Sequence, residues 1–218
     1  MTTPLSEALA IVGVGGMGVA VAHRLGAGRA IVLGDVNEAQ LEAVAAELSD
    51  AGHSVQTGHV DVTSRTSVAE FARLAVNCGR VTRVVHTAGL SPEQASAEAV
   101  LAVDLLGVAL VLEEFGNVIE PRGAGVVIAS MASYFQPPIP PGVEQQLATL
   151  PAEELLALPA CSSAAITSSQ QAYPFAKRAN QLRVAAAARA WGLRGARINS
   201  ISPGVISTAM GGKELSGQ

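Results

Sequence analysis

The sequence predicts an α/β fold in which one parallel sheet is covered by helices on both faces. Three observations predict it. Apolar runs of strand length alternate with longer stretches of helical periodicity. A glycine-rich turn, Gly13-Val14-Gly15-Gly16-Met17-Gly18, separates the first strand from the first helix. The chain is 49% hydrophobic but only 3% aromatic, so Ala, Val, Leu and Ile must fill the core, as suits a sheet buried on both faces.

The elements follow in order. Ala8 to Val14 reads as a strand, and the glycine turn leads into a helix ending near Ala27. Arg29 to Asp35 is the second strand; Asn37 then caps a helix over Glu38 to Leu48, with Leu41, Val44 and Leu48 at helical spacing. Ser54 to His59 is the third strand, followed by a helix from Ser64 to Asn77. Arg83 to Thr87 is the fourth, and Ala95 to Ile119 one long helix closed by Pro121 and Gly123. Gly125 to Ser130 is the fifth strand, Gln171 to Trp191 an Ala-rich helix, and Arg194 to Ile201 the sixth strand. Parallel strands with right-handed crossovers follow from this alternation.

No linker divides the chain, so residues 1–218 are expected to form a single domain with an insertion at about 134–170. The 42 residues between Ser130 and Tyr173 are rich in proline. Those prolines exclude a central strand and a long helix. The segment Tyr134 to Ser169 is therefore expected to lie outside the sheet, over a substrate site or a subunit interface, with a short helix at Pro151 to Leu158.

Composition excludes several classes. A net charge of −4 with no basic block argues against nucleic acid and anionic membranes as partners. No apolar run reaches membrane-span length, and Met1 to Glu7 lacks a leader pattern. Cys78 and Cys161 read as reduced thiols, consistent with a cytoplasmic protein. His23, His53, His59 and His86 share no metal-binding spacing; Arg178, Arg183, Arg189 and Arg194 read as a solvated face.

The glycine turn is a G-x-G-x-x-G, weak alone. Here it follows a strand and opens a helix, and Asp35 stands 17 residues after Gly18 at the end of the next strand. That context is the dinucleotide fingerprint of the doubly wound Rossmann fold, strand order 3-2-1-4-5-6. Gly13, Gly15, Gly16, Met17 and Gly18 let the backbone approach a diphosphate at a helix N-terminus. Asp35, with Val36 beside it, is placed to accept from ribose hydroxyls, which favours NAD over NADP. Arg65 is the one nearby cation able to oppose that preference.

Tyr173 and Lys177 lie four apart on a helix and share a face. A lysine near a phenol favours the phenolate, which suits the tyrosine to general acid/base work. Pro174 lacks an N–H and is expected to place Tyr173 in its helix's first turn. Ser130 ends the fifth strand, where ligands of such sheets bind; Ser133 is a competing hydroxyl.

Together these residues resemble the short-chain dehydrogenase/reductase family from Ala8 to Thr208. The resemblance rests on the glycine turn, Asp61-Val62, Thr87-Ala88-Gly89, Ser130, Tyr173 with Lys177, and Pro203-Gly204-Val205-Ile206-Ser207-Thr208 in that order. It implies an oxidoreductase that moves a hydride between NAD(H) and a hydroxyl or carbonyl group of a small, apolar substrate. It implies Tyr173 as proton donor and acceptor, Lys177 on the nicotinamide ribose, and Ser130 on the substrate oxygen. Asp61 and Val62 would flank the adenine, Ala88 and Gly89 would pass beneath its ribose, and Ile206 and Thr208 would hold the nicotinamide carboxamide, with Thr87, Tyr173, Pro203 and Gly204 also at the cofactor. A homodimer or homotetramer is implied as well.

The sequence departs from the family in four places. Its glycine turn is one residue short. The helix asparagine of the family's proton relay is replaced by Asp104, which accepts hydrogen bonds but, ionised, donates none. The insertion is long, similar to that of bacterial 3α-hydroxysteroid dehydrogenase relatives. The family's substrate-covering segment and seventh strand have no counterpart before Gln218. Two other readings share these residues: an NAD-retaining epimerase and a non-catalytic dinucleotide-binding protein.

Overall fold

The computed structural model describes residues 6–93 and 95–207. Six parallel strands form one sheet: β1 (Glu7–Val12), β2 (Arg29–Asp35), β3 (Ser54–His59), β4 (Arg80–His86), β5 (Ala124–Ile128) and β6 (Arg197–Ile201), in the order β3-β2-β1-β4-β5-β6. The expected doubly wound Rossmann topology is the observed one.

Strand alternation explains the two-sided core. Ala8, Ala10 and Val12 of β1 join one apolar cluster; Leu9 and Ile11 join the other. Helices α1 (Gly16–Leu25) and α2 (Glu38–Asp50) cover the second cluster; α3 (Arg65–Cys78), α5 (Val108–Val118) and α7 (Ser169–Leu193) cover the first. The side chains of Asn37 and Ser64 accept from the N–H groups of Gln40 and Ser67, capping α2 and α3 as their residue types predict. Among the described residues no helix is long and apolar enough to cross a membrane. Cys78 and Cys161 are free thiols, the latter buried.

Four expectations need correction. The long helix over Ala95 to Ile119 is instead α4 (Ala97–Val100), a π-helical turn (Leu101–Gly107) and α5. Asp104 sits in that turn. The fifth strand stops at Ile128, and Ser130 lies past it as the cap of a 3-10 turn, Met131–Tyr134.

Pro174 lies inside α7, so Tyr173 is in the second turn and not the first. The helix starts earlier because Ser168 carbonyl accepts from Gln171 and Ala172, while the Gln171 amide reaches back to the Thr167 N–H and hydroxyl. Of the four arginines read as a solvated face, Arg189 and Arg194 are exposed, but Arg183 and Arg178 are not. Arg183 is buried, donating to the carbonyls of Leu147 and Leu150 and to Glu113; Arg178 pairs with Glu144, and Arg194 donates to the Ile119 carbonyl.

The insertion lies outside the sheet, as its prolines require. It contains a helix the sequence did not suggest, α6 (Pro141–Thr149), and a 3-10 turn (Ala152–Ala157) where a short helix was expected. Prolines 140 and 141 stand at the cap and first turn of α6, where no N–H is needed. Leu147, Ala152 and Leu155 are fully buried. Arg65 fastens the insertion to α5, pairing with Glu113 at 2.5 Å, Glu114 at 2.6 Å and Glu153.

Candidate active site

Two adjoining clefts open at the carboxyl ends of the strands. The first, of 570 Å³, is lined by Gly13, Gly15, Gly16, Met17, Asp35, Val36, Asp61, Val62, Ala88 and Gly89. The turn is built for close approach. A side chain at Gly13 would put its Cβ 2.3 Å from the Ala88 nitrogen, and one at Gly18 would put it 2.1 Å from the Gly13 oxygen. Gly15, by contrast, would meet nothing within 4 Å. Gly13, at φ +97°, and Gly18 thus close the turn onto its neighbours, while Gly15 leaves the backbone bare to the cleft.

The N-terminus of α1 carries no side-chain cap, so no side chain takes up its first N–H groups beside the glycine-turn cleft. The turn is held from below. Asp35 accepts from the Val14 N–H at 2.8 Å and the Asn37 N–H at 3.0 Å, and the Thr87 hydroxyl donates to the Gly13 carbonyl at 2.7 Å.

The second cleft, of 480 Å³, is lined by Ser130, Tyr173 and Lys177 together with Pro203, Gly204 and Ile206; Met17, Thr87 and Gly89 border both clefts. Thr208 lies outside the described residues. Ser130 is exposed to the cleft, its oxygen accepting from the Ala132 N–H. Ser133 does not line it: buried, its hydroxyl donates to the Ser130 carbonyl and accepts from Gln181.

Lys177 passes beneath the Tyr173 ring, with Nζ 5.3 Å from the ring centroid, and its side chain is only 5% exposed. Behind it lies Asp104, fully buried, with Oδ2 3.2 Å from Nζ and Oδ1 accepting the Leu90 N–H at 2.8 Å. Asp104 touches neither cleft and acts on the site only through Lys177 and Leu90. Burial pushes its carboxyl above the ordinary range, while the Lys177 charge and the Leu90 N–H pull it back.

A model of the short chain dehydrogenases matches residues 7–139. A short-chain dehydrogenase/reductase from Alternaria brassicicola, bsc3, is 41% identical over 203 residues, covering 93% of this chain and 74% of the relative. The chain belongs to the short-chain dehydrogenase/reductase family. Solved structures share the fold. A glucose/ribitol dehydrogenase homologue from Brucella melitensis superposes with a TM-score of 0.74 at 21% identity, over 99% of this chain and 80% of that one. An NAD+-bound xylitol dehydrogenase does so with a TM-score of 0.73 at 21% identity, over 99% and 76%. Membership makes the chain an oxidoreductase that binds a nicotinamide dinucleotide and acts on small molecules.

In the second cleft, sequence reasoning did not single out Leu90, Met131, Phe135 or Gln170 as lining residues. They come from the chain after β4, the turn after Ser130 and the start of α7, and carry no motif. His86, at the end of β4, is fully buried and both ring nitrogens lack a hydrogen-bond partner among the described residues. Burial, reinforced by the Lys177 charge and only partly offset by the nearby Val12 backbone carbonyl, holds its ring neutral down to about pH 3.

The folded value lies below the ordinary 6.5, so the stability His86 contributes is present above 6.5 and lost as pH falls toward 3. The unfolding free energy is expected to fall by up to about 1.4 kcal/mol per pH unit below pH ~6.5, before most carboxylates titrate. Denaturant titrations of wild type, His86→Leu and His86→Gln at several pH values check this. Between pH ~6.5 and ~5 the slope should be markedly smaller in whichever variants fold; a slope equal to that of wild type there contradicts it.

Proposed function

We propose that this protein is an NAD(H)-dependent alcohol dehydrogenase or ketone reductase for a small uncharged substrate, with Tyr173 as its general acid/base. One observation carries the reading: Ser130, Tyr173 and Lys177 line a single cleft that adjoins the glycine-turn cleft through Met17, Thr87 and Gly89.

The dinucleotide would be held by Gly13 to Gly18, Asp35, Val36, Asp61, Val62, Ala88 and Gly89, and its nicotinamide end by Pro203, Gly204 and Ile206. When bound it supplies or accepts the hydride. The residues of this chain do the rest. The Ser130 hydroxyl donates to the substrate oxygen and fixes its direction. The Tyr173 hydroxyl gives a proton to that oxygen in reduction and takes it in oxidation. The Lys177 ammonium stabilises the charge left on the phenol, and Asp104 holds Lys177 in place. The apolar lining supplied by Leu90, Met131, Phe135 and Val205 excludes water.

Cofactor choice follows from charge. The glycine-turn cleft carries two carboxylates, Asp35 and Asp61, and neither lysine nor arginine among its described lining. Arg65, the one residue whose sequence position suggested rescue of a 2′-phosphate, is engaged by Glu113, Glu114 and Glu153. A phosphate on the ribose therefore meets Asp35 with no offsetting cation. NADH is expected to bind tighter than NADPH by about 10–100-fold, the range like charges produce in a half-buried cleft. Equilibrium titration of both cofactors into wild type and Asp35→Ala tests this. The gap should narrow in the variant; NADPH equal to NADH in wild type, or a gap that Asp35→Ala leaves unmoved, refutes it. The free thiols Cys78 and Cys161 suit a reducing, cytoplasmic setting.

A further inference from the structure

We propose that the insertion builds a second substrate subsite, which extends the reaction cleft and selects an elongated, uncharged, mainly apolar alcohol or ketone. This rests on the reading of Tyr173 and its cleft as the reaction site. A pocket of 490 Å³ lies next to that cleft and shares Phe135, Gln170 and Pro174 with it as a common wall. Its far walls are Pro138, Ile139, Val143, Ala165, Ile166 and Phe175, and its polar groups are the amides of Gln136, Gln170 and Gln171.

No charged residue lines it among the described residues, and Lys177 is the only one lining the reaction cleft. A charged group taken from water into the second pocket would lose its solvation with nothing to replace it. Amides and prolines offer only neutral partners.

Size points the same way. The reaction cleft of 480 Å³ must hold the nicotinamide end of the cofactor beside the substrate, and it lies at the lower end of the ~300–1,000 Å³ that sites for drug-sized ligands span. A longer substrate would extend past Phe135, on the wall the two pockets share. That ring is 73% exposed, and Met131, Val205 and Ile206, also exposed, line the same cleft. Large apolar side chains grouped at the mouth of a site mark a surface that a ligand covers. All of the second pocket's far walls but Phe175 of α7 come from the insertion, so this specificity belongs mainly to that segment.

The test uses 4-alkylcyclohexanols with straight tails of increasing length. Their dissociation constants are measured by calorimetry in the presence of NADH, with wild type and Ala165→Trp. Ala165 is exposed, lines the second pocket and does not touch the reaction cleft. In wild type, affinity should rise about two- to fourfold per methylene, as burial of a CH₂ gives. In Ala165→Trp the rise should disappear, while cyclohexanone reduction stays at the wild-type rate.

Affinity independent of tail length in wild type overturns the subsite. So does a tail dependence that Ala165→Trp leaves intact. Loss of self-association in Ala165→Trp, without a change in tail binding, assigns the pocket to a second copy of the chain and also overturns it. Failure of the proposed activity reads differently: tails would bind by length, yet no ketone would be reduced.

Discussion

Replacing Tyr173 with phenylalanine is expected to lower kcat by about 10²–10⁴-fold, the usual contribution of a positioned general acid/base, and to leave NADH affinity unchanged. The substitution removes one oxygen. The ring remains, so the packing over Lys177, whose ammonium lies 5.3 Å from the ring centroid, is kept. The phenol lines the reaction cleft and is absent from the glycine-turn cleft that would hold the adenosine half of the dinucleotide. Turnover and cofactor binding should therefore separate. Steady-state rates with NADH titrations on the same preparation check this. A variant that keeps more than about a tenth of wild-type kcat would remove Tyr173 from the chemistry.

The second large effect is expected on stability, at the buried pair behind the tyrosine. Lys177→Met leaves the Asp104 carboxylate fully buried with its cation gone. Breaking such a pair from one side destabilises by about 3–5 kcal/mol, whereas removing both charges is close to neutral. Asp104→Asn removes the charge and keeps an acceptor for the Leu90 N–H, which now donates to Asp104 at 2.8 Å. The double variant Lys177→Met/Asp104→Asn should thus be more stable than Lys177→Met alone, by roughly 2–3 kcal/mol. Urea unfolding of wild type, both single variants and the double variant near neutral pH gives the cycle. Additivity within about 0.5 kcal/mol would show that the two groups do not interact as their 3.2 Å separation implies.

The parts of this molecule legible in the sequence are those set by local pattern. Strand–helix alternation predicted a parallel sheet covered on both faces, and the glycine fingerprint predicted its doubly wound order. Asn37 and Ser64 mark helix starts by residue type alone. Gly13, Asp35, Ser130, Tyr173 and Lys177 sit at strand ends or on one helix face, so topology brings them to the two clefts.

What could not be read depends on distant partners or on fine helix geometry. Nothing in Leu101 to Gly107 distinguishes a π turn from an α-helix, yet the turn contains Asp104, whose carboxylate meets Lys177. Arg183 resembles any surface arginine until α6 and Glu113, 70 residues away, enclose it. Arg65 looked free to meet a phosphate because its three carboxylate partners lie on α5 and in the insertion. Proline signalled a break at 140 and 141, where it in fact opens α6. The second pocket exists only through the packing of that insertion.

The central claim is that this site moves a hydride between NADH and a carbonyl carbon. The direct measurement is label transfer from NADH carrying deuterium at both C4 positions of the nicotinamide, with cyclohexanone and its 4-alkyl derivatives as acceptors. Mass spectrometry of the alcohols should find one deuterium on the carbinol carbon, at a rate that falls with Tyr173→Phe. NADH that binds but delivers no deuterium to any of these ketones would contradict the claim.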